Sequence, residues 1–175
     1  MSLCALLAFA LGSETGPRME SRTQQSPRWV VSFQGVGPVR FGMSLRQASA
    51  ALGEQLLARS PGDTSRDCPL YYSTPKTASE SLSLMVEYDT IVRADITGGR
   101  FATMDGFHTG SAASDIKHRY GDRLELETSL GGNEELLLRS QDPERRFLIV
   151  FEIIDGRVSS YRAGRRAAAE LEECE

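Results

Sequence analysis

A glycine-bounded amphipathic segment occurs twice along the chain at the same internal spacing. Gly37 to Gly53 (GPVRFGMSLRQASAALG) lies over Asp105 to Gly121 (DGFHTGSAASDIKHRYG), so Gly42 and Gly53 correspond to Gly110 and Gly121. In the first copy Ser44 is placed to accept from the open amides of a first helical turn, and Gln47 completes a capping box. In the second copy the nearest cap is Ser111, one position earlier in the alignment. Gly53 and Gly121 fit the C′ position, where glycine tolerates a left-handed backbone. Leu45, Ala48, Ala51 and Leu52 recur at helical spacing in one copy, and Ala113, Ile116 and Tyr120 in the other. Each segment predicts a short helix with one buried face.

Strand material follows each helix. Leu82 to Tyr88, Asp89-Thr90 and Ile91 to Ile96 read as a hairpin in the first copy. In the second, Arg123 to Thr128, Glu134 to Ser140 and Phe147 to Ile154 precede Asp155-Gly156 and Arg157 to Ala163. Asp-Gly between β-rich runs is a strong hairpin signal, because both central residues of a type I′ turn need positive φ. The expected fold class is α+β: two tandem helix-plus-antiparallel-strand repeats forming one sheet with the helices on one face.

The amino-terminal part reads differently. Leu3 to Leu11 is an apolar run followed by polar residues, and Ala8-Phe9-Ala10 offers small-x-small spacing, so residues 1–12 read as an export signal peptide. A buried N-terminal helix is the alternative. The run is half of the ~20 residues a spanning helix needs, so no transmembrane segment is expected. Residues 13–28 are polar and charged and read as a linker. A single folded domain spans 29–175, starting at the WVVSF run, with repeat one about 37–100, repeat two about 101–165 and a C-terminal tail 166–175. These features place the protein outside the cytoplasm, periplasmic or secreted. Its net charge of -4 argues against nucleic acid as a partner.

Removal of the leader leaves Cys68 and Cys174, which in an oxidising compartment pair most simply as one disulfide, the alternative being two unrelated thiols. Closing a loop of roughly 100 residues stabilises by up to about 4 to 5 kcal/mol in the chain-entropy view.

The run Gly42-Met43-Ser44-Leu45 through Ala51-Leu52-Gly53 resembles the opening motif of the SmpA/OmlA outer-membrane lipoproteins and of the beta-lactamase inhibitor protein family, built from two such units. The whole chain, with GVGPVRFGMS early and DGRVSSYRAGR late, also resembles a group of exported bacterial proteins. The inhibitor likeness implies a sheet face that grips a protein, and the lipoprotein likeness a scaffold role in the envelope. The shared positions are capping and turn residues, so no site residue is carried over.

No catalytic residue, cofactor or metal site is assigned. Ser111 and His108 are the nearest approach to a nucleophile and base, but Ser111 is already explained as a cap and no nucleophile elbow surrounds it. Asp105, His108, Asp115 and His118 offer mixed oxygen and imidazole donors, against which stands a turn aspartate, a loop histidine and a solvated helix face. Adjacent acids such as Glu134 and Glu135 point to opposite faces of a strand and read as solvated. The arginines Arg157, Arg162, Arg165 and Arg166 either bind an acidic partner or anionic lipid, or balance the acidic tail Glu170 to Glu175 by local pairing. Tyr71, Tyr72, Tyr161 and Arg162 are the candidate interface residues. One of the two adjacent tyrosines is expected in the core. The function that follows is a non-enzymatic, extracytoplasmic binding module with a protein partner; the alternative is a structural envelope component tethered near the outer membrane.

Overall fold

A computed structural model describes residues 29–58, 70–74, 81–98 and 100–170. The expected signal peptide (1–12), the expected linker (13–28) and the expected disulfide cysteines Cys68 and Cys174 lie outside the described residues.

Twelve strands and three α-helices follow one another along the described chain. Strands β1 (Trp29–Ser32), β2 (Gly35–Val36) and β3 (Val39–Arg40) lead into helix α1 (Leu45–Leu52). Strands β4 (Leu57–Ala58), β5 (Leu70–Ser73), β6 (Leu82–Glu87) and β7 (Thr90–Ile96) follow, then β8 (Phe101–Thr103) and α2 (Ala113–Tyr120). A 3-10 turn leads to β9 (Leu124–Thr128), β10 (Glu134–Arg139), β11 (Phe147–Ile154), β12 (Arg157–Arg165) and α3 (Arg166–Glu170).

The main sheet has eight strands in the order β4-β5-β6-β7-β12-β11-β10-β9, all neighbours antiparallel. That order reads the same from either edge: a helix, then a four-stranded meander, joined back to back at β7 and β12. Local bonding follows the same plan. Gly42 N donates to Ile91 O at 2.8 Å and Ile91 N to Met43 O at 2.8 Å; Gly110 N donates to Val158 O at 2.7 Å and Val158 N to Ser111 O at 2.9 Å. Isolated bridges Ser44 to Thr90 and Ala112 to Arg157 tie each helix start to its own hairpin. Both hairpins shift register at the same place, between Met85 and Val86 and between Glu152 and Ile153.

The second sheet, β3-β2-β1-β8, lies with α1 and α2 on the inner face of the main sheet. Val31, Val36, Ala48, Phe101 and Ile116 meet Leu84, Ile96, Leu136, Phe151 and Tyr161 in one buried cluster. Strand periodicity sends the alternate residues to the outer face. There α3 packs: Ala168 against Met85 and Val92, and Ala169 against Leu137, Leu148 and Val150.

Three expectations change. The second helix is capped at Ala112, with no side-chain cap, and not at Ser111; Ser111 Oγ instead accepts from His108 N at 2.9 Å. The first hairpin turns at Tyr88-Asp89, both with positive φ (47° and 59°), one residue before the place expected from sequence. The start of the tail folds into α3, on the face opposite α1 and α2, because two alanines let a single helical turn lie close on the sheet.

Candidate functional site

The outer face carries an ionic lattice that strand register assembles from both halves. Asp95 pairs with Arg162 across β7 and β12, Arg162 with Val150, and Val150 with Leu137. Arg93, 2% exposed, donates to Asp95 at 3.1 Å and, through Nη1, to Ala168 O at 2.8 Å. Arg162 donates to Ala169 O at 2.6 Å and to both oxygens of Glu135 at 2.9 and 3.3 Å. The last carbonyls of a helix have no partner within it. Two guanidiniums from neighbouring strands supply them here, with the charge favoured at that helix end.

A third arginine completes the latch. Arg139 grips Glu125 with two bonds of 2.6 Å and reaches Glu170 at 3.3 Å, and Arg166 meets the same Glu170 oxygen at 2.9 Å. Hydrogen bonding to Arg139 holds the Glu125 carboxyl below its ordinary range. Burial pushes Glu170 up, but bonds from Arg166 and Arg139 outweigh it and the carboxyl titrates low. These groups are charged at neutral pH.

Across β9, β10 and β11 runs a row of three carboxylates in register: Glu127 opposite Glu135, and Glu135 opposite Glu152. Glu135 is 5% exposed and neutralised by Arg162, not solvated as expected. Glu152 accepts from Asn133 Nδ2 at 2.9 Å and Ser160 Oγ at 2.7 Å, while Glu127 stands exposed at the sheet edge. The outer face beside α3 therefore carries an acidic strip whose middle carboxylate is neutralised by Arg162.

The candidate interface residues fall in different places, and of these Arg162 lies on this face. Tyr161 is 2% exposed and stacks on Phe151 in the main core at 5.8 Å. Tyr72 is half-buried against the same core. Tyr71 is the register partner of Met85 in β5, and Arg162 is committed to Glu135 and α3. The alternation from Leu124 to Thr128 marks one wet strand face that carries Glu125 and Glu127, but only pairing brings Glu127, Glu135 and Glu152 into one row.

A second polar cluster sits at the mouth of a cavity of about 70 Å³ lined by Val31, Phe33, Thr103, Met104, Tyr120 and Leu138. Asp105 accepts from Tyr120 Oη at 2.7 Å and from Arg119 Nε at 2.9 Å. The Tyr120 hydroxyl, then Arg119, hold the Asp105 carboxyl below its ordinary range. Burial, then Asp105, push the Tyr120 phenol far up. The aspartate is thus an ionised acceptor and the phenol a protonated donor, each saturating the other.

His108 Nδ1 lies 2.7 Å from Thr109 O, so Ser111 meets the backbone of His108 and not its imidazole. Among the described residues no three His, Cys, Asp or Glu side chains are grouped so as to hold a metal ion.

No protein-family model matches the chain. No curated protein matches it. Among solved structures it is similar to the uncharacterized protein yfeY from Escherichia coli, with 17% identity, 78% of this chain and 99% of that chain covered, and a TM-score of 0.53. It is also similar to an extracellular protein containing a SCP domain from Bacillus anthracis str. Ames, with 10% identity and a TM-score of 0.50. That match covers 91% of this chain and 51% of the other, so the chain spans about half its length. At these identities the likeness is one of fold. Among the described residues no helix is long and apolar enough to cross a membrane.

Proposed function

We propose that this chain is a non-enzymatic, extracytoplasmic binding module that grips a protein partner with the outer face of its main sheet, beside α3. The observation that carries the reading is the division of charge on that face. Arg93, Arg139 and Arg162 are consumed by the lattice, whereas Glu127 and Glu152 present carboxylates along the strip. Fixed, uncompensated charge on a preorganised sheet steers and selects a partner of opposite sign. The partner surface is accordingly basic.

The resemblance to the beta-lactamase inhibitor protein and SmpA/OmlA families supports a two-unit build, with which the mirrored strand order agrees. Placement outside the cytoplasm rests on the leader-like run and on the extracellular description of one structural neighbour. Affinity capture from envelope extract tests the binding reading by comparing the wild type with the Glu127→Lys, Glu152→Lys variant. Species enriched by the wild type are expected to vanish with the variant. Enrichment unchanged by the reversal would contradict the proposal.

A further inference from the structure

Strand β9 ends the main sheet, and among the described residues no strand lies beyond it. Its five residues pair with β10 in continuous register, without proline or bulge. Ser129 N donates to Asn133 O at 2.9 Å, and antiparallel bonding alternates from there, so Glu127 and Glu125 exchange bonds with β10. The N–H and C=O groups of Leu126 and Thr128 therefore point away from the sheet. Leu126 is 62% exposed although its strand neighbour on the same face, Leu124, belongs to the core. Among the described residues this is a regular, unpaired edge with an exposed apolar side chain at its centre.

We propose that β9 accepts an added antiparallel strand from a partner whose extended segment alternates Lys or Arg with apolar residues. The inference rests on the binding-module reading and goes further by naming the docking element and the partner's pattern. Main-chain bonds to Leu126 and Thr128 supply affinity, and alternate side chains supply specificity. An apolar residue covers Leu126, and a flanking cation faces Glu127, since Glu125 is already held by Arg139. A second copy is the wrong occupant. Antiparallel pairing of two β9 strands about Leu126 sets Glu125 against Glu127 of the other chain, and like charges directly opposite are destabilising.

The test uses the full chain and fluorescent peptides alternating lysine with valine, or glutamate with valine, read by anisotropy. The lysine peptide is expected to bind at least tenfold more tightly than the glutamate peptide and to slow hydrogen exchange at the Leu126 and Thr128 amides. Glu127→Lys is expected to weaken the lysine peptide about fivefold. Leu126→Pro removes an outward N–H while sparing the β10 ladder, and should abolish binding. If that variant does not fold, the exchange pattern on the wild type decides. Equal binding of both peptides, exchange protection elsewhere, or no binding overturns the proposal. Concentration-dependent dimers lost with Leu126→Pro would overturn the choice of occupant. Peptide failure alongside envelope capture that still depends on Glu127 and Glu152 would sink the edge and spare the outer-face reading.

Discussion

Arg162 lies directly opposite Asp95 across the junction of β7 and β12, and the two hold the same place counted from their respective hairpin turns. They sit where the two halves of the sheet meet, so an identical residue at both places would face itself. Two arginines or two aspartates would repel there. The halves differ at this point, one acid and one base, and each is also bound within its own half, Asp95 by Arg93 and Arg162 by Glu135.

Breaking that second pair leaves a buried charge alone. Arg162→Met is expected to destabilise the protein by about 3 kcal/mol, because Glu135 is left buried without its partner. Arg162→Met with Glu135→Leu should recover most of the loss. Urea denaturation of the four members of the cycle measures both; a double variant no more stable than the single one would contradict the account.

The two helix starts differ in one side chain. Ser44 Oγ accepts from Gln47 N at 3.3 Å and Gln47 Oε1 from Ser44 N at 2.9 Å, whereas Ala112 offers nothing at an equally extended cap. Ser44→Ala is expected to cost about 1 kcal/mol, and Ala112→Ser to stabilise by about 0.5 to 1 kcal/mol. Thermal melts showing no gain from Ala112→Ser would mean that the second cap is strained in a way its backbone angles do not indicate.

Gly164 fills a place where β12 and β7 approach closely. A Cβ there meets Val92 O at 2.6 Å and Arg93 Cα at 2.9 Å, backbone atoms that yield only if the strands part. Gly164→Ala is expected to destabilise by about 1 to 3 kcal/mol. Gly131→Ala, whose nearest neighbour is Ser129 Oγ at 3.7 Å, should be close to neutral in the same chemical denaturation assay.

Asp105 makes stability depend on acid. Its folded pKa lies below the unfolded value, so the contribution is fully present above about pH 5 and fades as pH falls below about 4 toward the folded pKa. Asp105→Asn is expected to flatten the stability profile in that window. An unchanged acid slope in the variant would show that other carboxyls set it.

Elements of the second half were legible because their signals are local. Asp155-Gly156 sits at a turn with φ of 51° and 72°, and the strands around it keep their expected extents to within two residues. Tyr88-Asp89 was misplaced because non-glycine residues occupy the left-handed positions there, and no glycine marks the turn. Strands β4 and β5 are short, and pairing rather than periodicity defines them, β5 against β6 and β4 against β5. Helix α3 was hidden because Arg166 to Glu170 is too short to show a helical pattern; its docking depends on Arg93 and Arg162, far away in sequence. The acidic strip shares that cause. Glu127, Glu135 and Glu152 come together only through register, and burial of Tyr161 follows from the face that its strand turns inward.

The most direct test of the outer face as the binding surface is site-specific photo-crosslinking in cell envelopes. A photoreactive side chain replaces Glu127 on the acidic strip in one variant, and exposed Met104 at the cavity mouth in another. The account expects a discrete protein adduct from position 127 that disappears when Glu152 is changed to Lys, and none from position 104. Adducts from position 104 alone, or from neither, would contradict it.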